Sequence, residues 1–396
     1  MSTRVNLMEP AVRDNPYPYY AEMRRNTPIC QVDPGGFWAV TRYDDIVSIM
    51  KNPQVFSSEL VKGNSEQGWL ENNAFSDSMI MMDPPRHGRL RALVNRAFNT
   101  QALARLEPRI RAQADKLMAQ MLQRRQVDFM TEFALPLPAG VMALLLGLDV
   151  SLAVRFKRWS DDMLSAPAIA STDMKRQAEV RASVQEMNQC LKEVLDDRRR
   201  NPGDDMVSDL LRAQVDGEFL TERELLGFFV LLLVAGLETT VHLLGHSART
   251  LAQRPEVMAR VRAEPALIPR FVEEVLRCEP PIHAMMRLVM EDVTIRGVKL
   301  SRGTTILVMA GSAVRDEAYV SNPEEFSLER TAPVSLPFGH GIHYCLGAHL
   351  ARLEAKLALE LLLPRCIGLR QTGPVQWNQS MVARGPASLP LELIPA

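Results

Sequence analysis

The stretch Pro337-Phe338-Gly339-His340-Gly341-Ile342-His343-Tyr344-Cys345-Leu346-Gly347-Ala348-His349-Leu350-Ala351-Arg352 changes character at its single cysteine. Before it, Gly339 and Gly341 predict a tight loop, because glycine accepts positive φ and lets the backbone come close to another group. After it, Leu346, Leu350, Leu353, Leu357 and Leu361 recur at i, i+4, i+7, i+11 and i+15, the spacing of a helix with one apolar face. Cys345 therefore falls at or just before a helix N-terminus, where free backbone N–H groups and the positive end of the helix dipole favour a thiolate over a thiol. Phe338 is placed to cover the sulfur. Gly347, in the expected first turn, costs about 1 kcal/mol relative to alanine, which makes sense where something flat and bulky approaches.

A lone cysteine at a helix start also fits a small buried hydrophobe, and His340, His343 and His349 beside it raise zinc. Zinc pairs usually have about two to four residues between ligands, whereas one residue separates His343 from Cys345 and no second Cys/His pair follows. The string F-G-x-G-x-H-x-C-L-G-x-x-L-A-R, carried by Phe338, Gly339, Gly341, His343, Cys345, Leu346, Gly347, Leu350, Ala351 and Arg352, resembles the cysteine-ligand signature of the cytochrome P-450 family, the haem-thiolate monooxygenases. The resemblance implies that Cys345 is the metal ligand, bound axially to the iron of haem b, and that its thiolate pushes electron density onto that iron. It further implies that Phe338, Gly339, His343 and Gly347 belong to the cofactor-binding loop.

Composition narrows the field without deciding it. The 46 Lys and Arg against 47 Asp and Glu leave a formal charge of −1, so nothing points to nucleic acid as a partner. Cys30, Cys190, Cys278, Cys345 and Cys366 are odd in number and unpatterned, which fits a reducing compartment better than a disulfide framework. The N-terminus has no apolar core of a signal peptide, and the longest uncharged apolar run, 225–237, is short for a bilayer. A cytoplasmic monomer with no membrane contact is expected. The resemblance is to the bacterial soluble type, whose electrons come ultimately from NAD(P)H through a separate ferredoxin and ferredoxin reductase, or a flavodoxin.

Along the chain, 16–25 reads as prolines and a short amphipathic helix, 37–40 and 41–43 as a strand pair opening from Gly35 and Gly36, and 44–50 as a helix. Periodicity then fails over 59–78, a length at which loops are usually functional. By resemblance this segment lids the substrate cavity, with Trp69, Leu70 and Phe75 as its apolar contacts. In Met82-Asp83-Pro84-Pro85-Arg86-His87, aspartate and proline suit a helix start, which puts His87 and Arg91 four apart on one face. A solvated basic face is the ordinary meaning; the resemblance to an H-x-x-x-R element implies instead that both pair with a haem propionate. Residues 101–211 read as mostly helical, with turns at 136–140, 166–167 and 201–205. Met163, Leu164, Ala168, Ile169 and Val180 fall where family members roof the cavity.

Thr221-x-x-Glu224 is a capping box, and the run after it is apolar on all sides, so the helix must be buried. Within it, Ala235-Gly236-Leu237-Glu238-Thr239-Thr240 places a carboxylate and two hydroxyls where burial costs several kcal/mol unless they are partnered. Small Ala235 and Gly236 leave room, and Thr239 can bond back to the carbonyl of Ala235 and bend the helix. A kink with Glu238 reaching solvent is the plain reading. The resemblance to the family's oxygen-activating motif implies that Ala235 and Gly236 border the cofactor, that Thr239 hydrogen-bonds bound dioxygen, and that Glu238 relays protons. Many members carry aspartate at that position, so the longer arm alters the relay geometry.

Glu274-x-x-Arg277 on a helix over 270–278 is by itself a common pair. Its place before Pro280-Pro281 resembles the buried Glu/Arg element that props the cysteine loop, with Arg330 as third member. Past the prolines 283–286 should be extended; by resemblance Arg287 binds the second propionate, and His283, Ala284, Met285 and Met286 edge the cavity. Strands over 293–295, 298–300 and 304–309 predict a small antiparallel sheet, and the turn at 384–388 returns an apolar tip, Val382 and Ala383, to the cavity. Val230, Leu233 and Val234 complete the apolar contacts, and Arg89, Arg96, His340 and Arg352 are expected to dock an acidic ferredoxin.

The reading is thus a mainly α fold with small antiparallel β-sheets, one haem domain over 1–396: a β-rich 1–60, a helical 61–280, and 281–396 with small sheets, cysteine loop and C-terminal helix. Haem would lie between the long central helix and the cysteine loop. The expected activity is insertion of one oxygen atom of O2 into a hydrophobic small molecule, a terpenoid, fatty acid or macrolide-like product of secondary metabolism, by C–H hydroxylation or epoxidation. A peroxide-driven peroxygenase and a non-catalytic haem-binding protein are the alternatives.

Overall fold

The computed structural model describes residues 4–60, 74–166, 169, 172–330 and 336–396. The chain is mainly α-helical with small sheets, as its periodicities predict. It divides into two compact units. One comprises Met1–Leu60, Ala114–Ala134 and Thr239–Ala396, the other Val61–Gln113 and Leu135–Glu238.

The first unit holds the larger sheets. Its five-stranded sheet runs in the order Ile29–Val32, Phe37–Val40, Thr305–Val308, Met285–Val289, Phe56–Ser57. The hairpin partner of Phe37–Val40 is Ile29–Val32, not 41–43. Tyr43 instead opens the helix Tyr43–Met50, because Asp44 and Asp45 favour its N-terminal turn and Ile46, Ile49 and Met50 share a buried face. Thr305–Val308 also departs from expectation. It leaves the hairpin Val293–Ile295/Val298–Leu300 and pairs parallel with Phe37–Val40 and antiparallel with Met285–Val289. Its Ile306, Leu307 and Val308 are wholly buried, and a strand apolar on both faces needs neighbours on both edges. Gln126–Asp128 pairs with Pro390–Pro395, which ties the 114–134 segment to this unit.

The second unit is helical, from Arg86–Ala97 through Met206–Arg212. The prolines at 136–138 do not make a turn: Pro136 begins the helix Pro136–Leu146, where its missing N–H costs nothing, and Gly147 at φ 62° ends it. The central helix, Glu222–Gln253, starts at the predicted capping box: Thr221 N–H donates to the Glu224 carboxylate at 2.9 Å and Glu224 N–H to the Thr221 hydroxyl at 3.2 Å. It continues past Glu238 to 32 residues, so by length and composition it could cross a bilayer. In its most apolar window 72% of residues are buried inside the protein, as in a core helix.

Candidate functional site

The cysteine loop is built from two short 3-10 turns, Leu336–Phe338 and Gly341–His343. Gly339 and Gly341 have φ of 81° and 68°, and a Cβ at Gly341 would lie 2.6 Å from the Met50 carbonyl oxygen. No other residue fits there without moving the backbone beside it. Cys345 N–H donates to the Phe338 carbonyl at 2.8 Å, which closes the loop. Phe338 is covered by the Arg352 guanidinium, 4.2 Å above its ring, and Arg352 also pairs with Glu273. His343 Nε2 and Ser58 Oγ are hydrogen-bonded at 3.0 Å.

The helix after the loop is Ala348–Leu362 with Gly347 as its N-cap, so Gly347 stands before the first turn and its helix propensity is not at issue. A Cβ there would be 4.0 Å from Cys345 Sγ. Leu350 and Leu357 are buried as the periodicity predicts, but Glu354 shares that buried face. Its two carboxylate oxygens have no hydrogen-bond partner among the described residues, and burial pushes its pKa well above the usual range.

The donor set decides which metal chemistry these residues fit. Among the five cysteines Cys345 alone is exposed. Burial pushes Cys278 up to about 12 and Cys366 up to about 11, and raises Cys30 and Cys190. Among the described residues no group of three or more His, Cys, Asp and Glu side chains could hold a metal ion. An accessible thiol at this position fits an iron whose other ligands come largely from a macrocycle.

The central helix has a break in its burial. Ala235 is exposed and Gly236, Glu238 and Thr239 are partly so, while the helix stays α-helical throughout. Leu231 and Leu232, one turn before Ala235 and Gly236, are buried at 7% and 9%. Val230 and Leu233, two of the expected substrate contacts, are at 0% and Val234 at 4%. Ala235, Glu238 and Thr239 form the open stripe of this stretch. At Gly236 the space is taken by the Met142 sulfur, 3.1 Å from where a Cβ would be. That glycine allows close contact between the central helix and the Met142 side chain.

His87 and Arg91 lie four apart on Arg86–Ala97, whose N-cap is Pro85 and not Asp83. His87 is buried, and burial followed by the Arg91 charge lowers its pKa, so it is neutral at pH 7. Arg89 is engaged by Glu218, by Glu224 at 2.7 Å and by the Phe219 carbonyl. With Arg352 held by Glu273, two of the four residues expected on a docking face are already paired, while Arg96 is exposed. Of the roof residues Met163 and Val180 are buried and Ile169 is half-buried. Trp69, Leu70, Ala168 and the side chain of Leu164 lie outside the described residues; Phe75 is half-buried.

Glu274 and Arg277 form a buried fork, and Glu274 also accepts from Ser327 N–H at 2.8 Å and Arg330 Nε at 3.3 Å. Arg277 donates to the Pro323 and Glu325 carbonyls at 2.7 Å. The expected third member is therefore in place. Arg287 is buried, with Nη1 donating to the Met286 carbonyl at 2.7 Å. Strand alternation splits its neighbours: Met285 packs with Val40 and Phe56, Met286 and Val382 with Ala284 and Leu307. His283 is packed among tyrosines. It is 1% exposed, its Nδ1 meets the Tyr20 hydroxyl at 3.1 Å, and the Tyr17 and Tyr20 rings stand 5.9 and 5.8 Å away.

Comparison with known proteins places this geometry. The sequence profile described as cytochrome P-450 matches residues 5–376. The chain is 36% identical over 384 residues to the mycinamicin IV hydroxylase/epoxidase of Micromonospora griseorubida, covering 94% of each chain. Among solved structures it is similar to cytochrome P-450 CYP109Q5 from Chondromyces apiculatus, with TM-score 0.91, 38% identity and full coverage of both chains. It is also similar to CYP109E1 from Bacillus megaterium in complex with testosterone, with TM-score 0.88 and 33% identity over 97% of this chain and 99% of the other.

Proposed function

The chain belongs to the cytochrome P-450 monooxygenase family, and from that premise we propose that it inserts one atom of O2 into a hydrophobic natural product of polyketide or steroid size, by C–H hydroxylation or epoxidation. The observation that carries the reading is the one exposed thiol, Cys345, in a loop closed on Phe338 and followed by a helix. In this reading Cys345 holds the iron of haem b, and His87, Arg91 and Arg287 hold its propionates. Haem bound there supplies redox chemistry for O2 that no side chain can provide.

The protein's own part is binding, orientation and protons. The Cys345 thiolate is favoured by the N-terminus of Ala348–Leu362. Phe338, capped by Arg352, holds the loop that carries the sulfur through its carbonyl's bond to Cys345 N–H. Glu238, a carboxyl left partly open in an otherwise covered helix, takes up protons from solvent, and the Thr239 hydroxyl hands them on. Ala284, Met286 and Val382 supply an apolar, adaptable wall for substrate.

Electrons come from NAD(P)H through a ferredoxin and its reductase or a flavodoxin. Arg96 and His340 are the docking residues left by the pairing of Arg89 and Arg352. The enzyme works as a cytoplasmic monomer. The test is the ferrous carbon monoxide adduct of the purified protein: a red-shifted Soret band is expected, lost in Cys345→Ser. An unshifted band in the folded wild type overturns the reading.

A further inference from the structure

Arg384 lies in Met381-Val382-Ala383-Arg384-Gly385-Pro386, directly after the apolar tip. An arginine in such a turn ordinarily sits in water. This one is 1% exposed and all three of its nitrogens are bonded. Nε donates to the Arg13 carbonyl at 3.0 Å, Nη2 to the Asp14 carbonyl at 2.7 Å and Nη1 to the Glu279 carboxylate at 2.7 Å. The guanidinium also stacks 3.7 Å over Trp377. Glu279 in turn accepts from the Tyr17 hydroxyl at 2.9 Å and from Arg249 at 3.3 Å.

The main chain at this point is held as firmly. Arg384 N–H donates to the Pro281 carbonyl at 2.9 Å, and its carbonyl accepts from His246 Nε2 at 3.0 Å. A Cβ at Gly385 would overlap the His242 ring, so the chain lies flat on the central helix. Val382, two residues earlier, is only half-buried, and its carbonyl receives the N–H groups of His283 at 2.8 Å and Ala284 at 3.1 Å. The side chains assigned to substrate therefore hang beside a clamp of buried, charge-assisted bonds, which are the stronger kind and resist displacement.

We propose that Arg384, gripped by Glu279, is a positioning residue that sets the height of the Val382 tip against Ala284 and Met286 and thereby determines which hydrophobic substrates are accepted. The inference rests on the monooxygenase reading. Lysine at 384 keeps the charge but loses the planar fork that reaches two carbonyls and a carboxylate together. The tip then shifts while the cysteine loop is untouched.

The experiment titrates the ferric holoenzyme with imidazole, which needs only the iron, and with 4-phenylimidazole, whose ring must also fit the cavity. Arg384→Lys is expected to change the 4-phenylimidazole Kd by about fivefold or more, the size of coupling between neighbouring side chains, and to leave the imidazole Kd and the carbon monoxide band unchanged. In a Val382→Ala background the same substitution should add nothing. Amide exchange at His283 and Ala284 should quicken in Arg384→Lys without change in the helix Ala348–Leu362. An unchanged 4-phenylimidazole Kd, an equal change for both probes, or a full effect persisting without Val382 overturns the proposal. If Arg384→Lys does not fold, Tyr17→Phe, which removes one bond from Glu279 without altering charge, is read the same way with a smaller expected change. An unshifted wild-type band would sink the family-based activity instead, and the exchange measurement would still decide the clamp.

Discussion

Arg277 grips Glu274, three residues before it on one helix, through two parallel bonds of 2.8 Å, and both side chains are almost wholly buried. A surface pair at this spacing contributes a few tenths of a kcal/mol, whereas stranding one member of a buried pair costs about 3–5 kcal/mol. Glu274→Gln leaves Arg277 and Arg330 without their carboxylate. Urea denaturation should show a loss of about 3 kcal/mol or more, or no soluble holoprotein. A loss below about 1 kcal/mol would mean the fork is not holding the 323–330 segment.

Thiol chemistry separates Cys345 from the other four cysteines. It alone is exposed, and the rest have pKa values raised by burial. Brief iodoacetamide treatment of the haem-free protein at pH 7.5 should label Cys345 first, by about tenfold or more, because the thiolate is the reacting form. Loading haem should abolish that labelling while leaving the slow reaction elsewhere unchanged, as read by peptide mass spectrometry.

Glu354 gives the protein a pH dependence of definite sign. Its folded pKa is raised by burial, so above the unfolded value near 4.5 the unfolded chain has released a proton that the folded chain retains. Stability contributed by this residue therefore falls as pH rises from about 4.5 towards the raised value. Glu354→Gln should flatten that slope between pH 5 and 8 and be the more stable protein at pH 7, measured by denaturant titration at several pH values. A variant less stable than wild type at pH 7 would show that a partner outside the described side chains holds the carboxyl.

Gly341→Ala tests the loop. At φ 68° and with the Met50 carbonyl oxygen in the way, the methyl group should cost about 1–3 kcal/mol and weaken haem retention, measured as haem transfer to apomyoglobin. Gly88→Ala, on a helix with open space around it, is the control and should be neutral or slightly stabilising.

Several features were readable from residue order because they are local. The thiol before a leucine-spaced helix, the Thr221/Glu224 cap and the Glu274/Arg277 spacing each depend on neighbours within a few positions, and the geometry of all three is found. Features were not readable where the deciding neighbour is remote. Val230, Leu233 and Val234 are as apolar as Leu231 and Leu232, and in a helix hydrophobic on every side composition carries no phase. Gly236 is small because of Met142, more than ninety positions away. Arg89 is cationic in the sequence and already paired in the fold.

The sequence by itself determined the family, the loop-then-helix setting of Cys345 and the order of the helices, since these follow from short-range spacing and residue chemistry. Only the tertiary structure decided which face of the central helix is open, that Thr305–Val308 joins a larger mixed sheet, and that Arg384 and Glu279 fasten the Val382 tip. Burial and charge pairing depend on what is adjacent in space, and chain spacing says nothing of that until the chain has folded.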